Sequence, residues 1–134
     1  MRILLVEDDL PLAVMAAKIL TTVGHQVIGP VTSFAAALHA AREHSIDLAF
    51  VDIDLNVKDA GIDLSIELRD SYGIQTIFTS HDAPGALSFH STALGFLPKP
   101  YLMSDLAHTA TFAHAFLTSR QPPLPPKPAA LELF

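Results

Sequence analysis

The chain has 134 residues, 50% of them hydrophobic, with 14 acidic and 8 basic side chains and a net charge of -6. That length supports one domain with a single core, and the scattered bases (Arg2, Lys18, Arg42, Lys58, Arg69, Lys99, Arg120, Lys127) exclude the basic footprint of a nucleic-acid binder. The absence of cysteine excludes disulfides and thiolate chemistry, and neither a bilayer-spanning apolar run nor a secretion signal is present, so a cytoplasmic protein that binds no nucleic acid and no membrane is expected.

Arg2 to Val6 is a short apolar strand running into Glu7-Asp8-Asp9. Asp9 suits a helix N-cap and Pro11 the first turn behind it, where no amide donor is needed. The helix from Leu10 to about Val23 carries one charge, Lys18, and Gly24 ends it. Gln26 to Gly29 is a second strand, and Ser33 caps an alanine-rich helix from Phe34 to about His44. Leu48-Ala49-Phe50-Val51 then runs into Asp52-Ile53-Asp54, an apolar run with the character of a buried central strand. A loop through Gly61 leads to a third helix whose apolar residues (Ile62, Leu64, Ile66, Leu68) nearly alternate, so only the rhythm of its neighbours favours helix.

Thr76 to Thr79 forms a fourth strand leading into Ser80, and Asp82 with Pro84 opens a weak fourth helix that ends near Leu94-Gly95. Phe96-Leu97 is a very short fifth strand before Pro98-Lys99-Pro100, and Ser104 caps a fifth helix from Asp105 to about Ser119. Residues 1–120 are thus one domain, and the proline-rich residues 121–134 read as an extended, disordered tail.

Strands alternating with helices indicate a parallel sheet covered on both faces. The simplest right-handed topology is a doubly wound, flavodoxin-like (βα)5 α/β sheet with strand order 2-1-3-4-5. Strands 1 and 3 are neighbours in that order, so Glu7, Asp8 and Asp52 meet in one crevice at the carboxyl edge. Carboxylates with room for water suit Mg²⁺, while the ends of strands 4 and 5 add a hydroxyl, Ser80, and a cation, Lys99. Nucleophile, cation site, hydroxyl and ammonium are the parts of a phosphoryl-transfer site. Each acid alone is equally a loop or cap residue; their joint placement carries the reading. The histidine pairs His39/His44 and His108/His114 miss the four-residue spacing that metal ligands on one helix face need.

Four motifs in order, Leu4-Leu5-Val6-Glu7-Asp8-Asp9, Asp47 to Asp52, Ile77-Phe78-Thr79-Ser80 and Gly95-Phe96-Leu97-Pro98-Lys99-Pro100, resemble the receiver domain of bacterial two-component response regulators. The resemblance implies that Asp52 is the phospho-acceptor, that Glu7, Asp8 and the backbone carbonyl of Asp54 join it around Mg²⁺, and that Ser80 and Lys99 attend the phosphoryl group. It also implies a cis Lys99–Pro100 bond and an aromatic switch at Phe96. The chain departs from the pattern in several places. Ser80 stands where threonine is commoner, and a shift of one residue would give Thr79 the role. Phe96 lacks the hydroxyl of the usual tyrosine, Asn56 replaces a frequent proline, and the segment between Ser80 and Lys99 is short.

By resemblance the protein is a stand-alone phosphoacceptor and not an enzyme in its own right. Its expected partners are a sensor histidine kinase or phosphotransfer protein and a downstream protein target. The output surface would be built by helix 4, strand 5 and helix 5, and the scarcity of charge on the fifth helix fits either a homodimer face there or a helix largely buried on the sheet. Two rivals stay open. Asp52 and Asp54 also resemble the first motif of haloacid-dehalogenase-type phosphatases, and a receiver fold can persist as a phosphate-independent binding module.

Overall fold

Strands whose residues are buried on both sides build the centre of the protein. The computed structural model describes residues 1–53, 55, 60–81, 93–118 and 127–134. β1 (Arg2–Val6), β2 (Gln26–Val31), β3 (Leu48–Asp52), β4 (Gln75–Ser80) and β5 (Gly95–Pro98) run parallel in the order β2-β1-β3-β4-β5, the flavodoxin-like order expected from the sequence. A further strand, β6 (Glu132–Leu133), lies antiparallel on the outer edge of β5.

The four described helices are α1 (Leu10–Thr22), α2 (Phe34–Glu43), α3 (Ala60–Tyr72) and α4 (Met103–Thr118). Strand residues alternate between two apolar clusters, as the pleat requires. Leu4, Val6, Ala49, Val51 and Phe78 pack with Ala37 of α2 and with Leu64 and Leu68 of α3. Ile3, Leu5, Phe50, Ile77 and Leu97 pack with Leu20 of α1 and with Leu106 and Phe112 of α4. Each large side chain sealed in this way contributes about 1.5–3 kcal/mol, so the sheet is the stable part on which the site is mounted.

Local signals place the helix starts. Asp9 Oδ1 accepts from the Leu12 amide at 3.2 Å and Ser33 Oγ from the Ala36 amide at 3.1 Å, capping α1 and α2. α3 is a helix despite its near-alternating sequence, because Gly61, Leu64, Ser65 and Leu68 share its buried face while Ile66 turns to solvent.

Two sequence expectations are corrected. The last helix starts at Met103, so Ser104 is inside its first turn; Asp105 reaches back to accept from the Leu102 amide at 3.2 Å, the reciprocal half of a capping box. Residues 127–134 are not a disordered end: Leu131 is fully buried, and Phe134 donates its amide to the Leu94 carbonyl at 2.9 Å. The reason is apolar content, since Leu131 and Phe134 each join one of the two clusters. The weak fourth helix expected from Asp82 lies, but for its last residues, outside the described residues. Leu106, Ala107, Thr109, Ala110, Phe112 and Ala113 of α4 are buried, and its exposed positions are the uncharged Ser104, His108, Thr111, His114, Phe116 and Thr118.

Candidate functional site

The register of the sheet sets the site. Val6 is paired with Val51, so Glu7 and Asp52 leave adjacent strands at the same level. Asp52 pairs with Thr79 and Thr79 with Leu97, so the end of β4 and the start of the loop after β5 lie beside them. Glu7 is fixed by its amide, which donates to the Val31 carbonyl at 3.0 Å, and its Oε2 accepts from the Asp9 amide at 3.2 Å. Lys99 is fixed by its amide, which donates to the Ser80 carbonyl at 2.7 Å, and it precedes a cis bond to Pro100.

From there the Lys99 ammonium reaches back across the sheet. Its Nζ lies 2.6 Å from Glu7 Oε1 and 3.3 Å from Asp52 Oδ2. The Lys99 and Glu7 side chains are only 4% and 3% exposed, and that of Asp52 is 10% exposed. Burial is the main cause that holds the Glu7 carboxyl up at about 7, with the bond from Lys99 opposing the rise and the neighbouring Asp52 adding to it. Burial alone would lower Lys99, but the two carboxylates outweigh it and hold its pKa above the ordinary lysine value.

Glu7, Asp8 and Asp52 each offer a carboxylate oxygen, all within 4.8 Å of one another. Three hard oxygen donors fit a hard divalent cation and not a soft metal. Among the described residues this is the one such group, and no histidine joins it. Asp54, whose carbonyl the sequence reading assigned to the same cation, lies outside the described residues. Ser80 and Thr79 are both buried at the end of β4, with Asp52 directly paired to Thr79 and Ser80 one step further toward the carboxyl edge. Phe96 is buried in β5 between Phe78 and Glu132.

Sequence reading missed two contributors. Gly61, which reads as an ordinary turn glycine, begins α3 against the backbone of the acceptor strand; a Cβ there would stand 2.2 Å from the Asp52 carbonyl oxygen and 2.7 Å from Ile53 Cα. Its amide donates to the Ile53 carbonyl at 2.8 Å, and the Ile53 amide donates to the Thr79 carbonyl at 3.0 Å, which pins the end of β3. Tyr101, just past the cis proline, has its hydroxyl pKa raised by burial and by the charges of Glu7, Asp52 and Asp9. An aromatic residue two positions beyond Lys99 was the available signal.

The fold and site define a flavodoxin-like α/β protein with an acidic crevice at the switch point of its sheet. Residues 3–111 match the family model described as the response regulator receiver domain, and the chain belongs to that family, the receiver domains of two-component response regulators. It is 40% identical over 68 residues, 50% of this chain, to the transcriptional regulatory protein MalR of Bacillus subtilis (strain 168). The matched segment spans 28% of MalR. Its fold is similar to that of a CheY-like response regulator receiver domain protein from Methanospirillum hungatei JF-1, with 25% identity, a TM-score of 0.68, and coverage of 78% of this chain and 86% of that one. It is also similar to the receiver domain of the hybrid histidine kinase CckA, with 28% identity, a TM-score of 0.68, and coverage of 84% of this chain and 98% of that one.

Proposed function

We propose that Asp52 accepts a phosphoryl group from the phosphohistidine of a sensor histidine kinase or phosphotransfer protein. An Asp52 carboxylate oxygen forms a bond to phosphorus while the phosphorus–nitrogen bond of the donor breaks. The departing imidazole keeps the electron pair and takes up a proton, and Asp52 is left as an acyl phosphate. The observation that carries this reading is the Lys99 ammonium, buried and within 3.3 Å of Asp52, where it offsets charge on the incoming group.

Glu7, Asp8 and Asp52, with the Asp54 carbonyl, would hold Mg²⁺. Bound there, the ion neutralises charge on the phosphoryl oxygens. Ser80 supplies a hydroxyl to the phosphoryl group, with Thr79 the alternative donor one residue earlier. Phe96 has no hydroxyl to engage, so any rearrangement it transmits works through packing. The output is contact with a downstream protein through the side of the sheet that carries β5 and α4. A cytoplasmic location goes with a phosphohistidine donor.

The test is intact-mass spectrometry after incubation with Mg²⁺ and acetyl phosphate. One labile phosphoryl adduct is expected on the wild-type chain and none on Asp52→Asn. An unmodified wild-type chain overturns the acceptor role in favour of a phosphate-independent module. Turnover of a generic phosphate ester that disappears in Asp54→Asn overturns it in favour of a phosphatase.

A further inference from the structure

The last eight residues make a built contact. The Lys127 ammonium donates to the Leu131 carbonyl at 2.6 Å and to the Pro128 carbonyl at 3.3 Å, and the Leu131 amide donates to the Pro128 carbonyl at 3.1 Å. This braced turn delivers Leu131, fully buried, into the cluster of Leu97 and Leu106 on one face of the sheet. Glu132 and Leu133 then pair with Phe96 and Gly95, and Phe134 packs into the cluster of Phe78 and Phe96 on the other face. The segment therefore straddles the edge of β5, with one apolar anchor on each side.

Gly95 is what admits it. A Cβ at that position would stand 2.3 Å from the Glu132 carbonyl oxygen, so any side chain there would exclude the added strand. An edge strand offers unpaired backbone groups to any extended segment that fits. In strand addition the backbone bonds give affinity and the flanking apolar seats give specificity. The resident segment shows what those seats take, a leucine and a phenylalanine three residues apart.

We propose that the edge of β5 is a strand-addition docking site for an extended peptide of this pattern, kept closed by the chain's own Leu131–Phe134. The tail acts as a tethered competitor, since its tether gives it a high effective concentration at the edge. A protein partner that uses β5 must displace it.

The test uses the full chain and a fluorescein-labelled synthetic peptide corresponding to residues 127–134, followed by fluorescence anisotropy. Leu131→Asp and Phe134→Asp each unhook one anchor, and both variants are expected to bind the peptide about tenfold or more tightly than the wild type does. Phe134 is only partly buried, so Phe134→Asp preserves the test if Leu131→Asp does not fold. A peptide with aspartate at both anchor positions should bind neither variant. Dimers of the variants that the peptide dissociates count for the same site, occupied by a second copy. Equal binding to wild type and variants, or binding to none, overturns the proposal.

Discussion

Lys99 and Glu7 follow strands at opposite sides of the sheet's centre, with β3 and β4 between them, yet their side chains meet at 2.6 Å with almost no solvent access. The ammonium holds two buried carboxylates together. Removing one member of a buried pair leaves an uncompensated charge and costs more than the pair itself contributes. Lys99→Met is therefore expected to lose about 3 kcal/mol of unfolding free energy in urea titrations. Adding Glu7→Gln to it should restore part of that loss, because the two sites are coupled. Strict additivity of the two changes would show that the contact carries no energy.

Gly61→Ala forces a methyl group into the Asp52 carbonyl. Backbone cannot rotate away as a side chain does, so α3 or the end of β3 must shift. The expected loss is about 1–3 kcal/mol, accompanied by slower adduct formation on Asp52. A variant as stable as the wild type, phosphorylated at the same rate, would mean that the close approach is not required.

Asp9→Ala separates helix capping from the acidic cluster. Its side chain caps α1, while only its backbone amide serves Glu7. Stability should fall by about 1 kcal/mol and adduct formation should persist. Loss of the adduct in a folded variant would place the Asp9 carboxylate in the site itself.

At the opposite end of the sheet, His25 is 9% exposed, with Nδ1 3.3 Å from the Met1 amine and Nε2 lacking a hydrogen-bond partner among the described residues. Burial, reinforced by the amine and by His114, lowers its pKa below 6.5. The folded state thus disfavours the protonated form, and the unfolded chain binds the proton more readily. Its contribution to stability is complete above 6.5 and falls away as the pH drops through 6.5 toward the folded value. Urea midpoints of the wild type should decline across that window, and His25→Gln should flatten the decline. Parallel curves for the two proteins would assign the acid sensitivity elsewhere.

Much of the sheet was legible because its signals are local. The apolar runs Ile3-Leu4-Leu5-Val6 and Ala49-Phe50-Val51, each running into an acid, fix two neighbouring strands, and the crossover rule then brings Glu7, Asp8 and Asp52 together. Lys99 between two prolines was equally visible. What stayed hidden depends on contacts between distant parts of the chain. The direct Lys99–Glu7 pair cannot be read from two residues 92 positions apart (99 minus 7). Leu131 and Phe134 belong to a segment too short and too close to prolines to show a strand period, and only the seats beside β5 order it. Leu102 carries no capping side chain, so the start of α4 is set from within by Asp105, and Ser104 misled.

The glycine that admits β6 also bears on how the molecule behaves when crowded. A sheet is most prone to stack into fibres at its lateral margins, where bare strands can recruit copies of themselves. One margin here is β2, in which Pro30 lacks an amide donor and Gly29, at φ 108, breaks the regular extended path. The other would be β5, four residues of mainly apolar sequence, were it not overlaid by two residues that carry the exposed Glu132. Because Gly95 has no side chain, the chain closes that margin with its own end, and a single added methyl at this position would trade a sealed border for a sticky one.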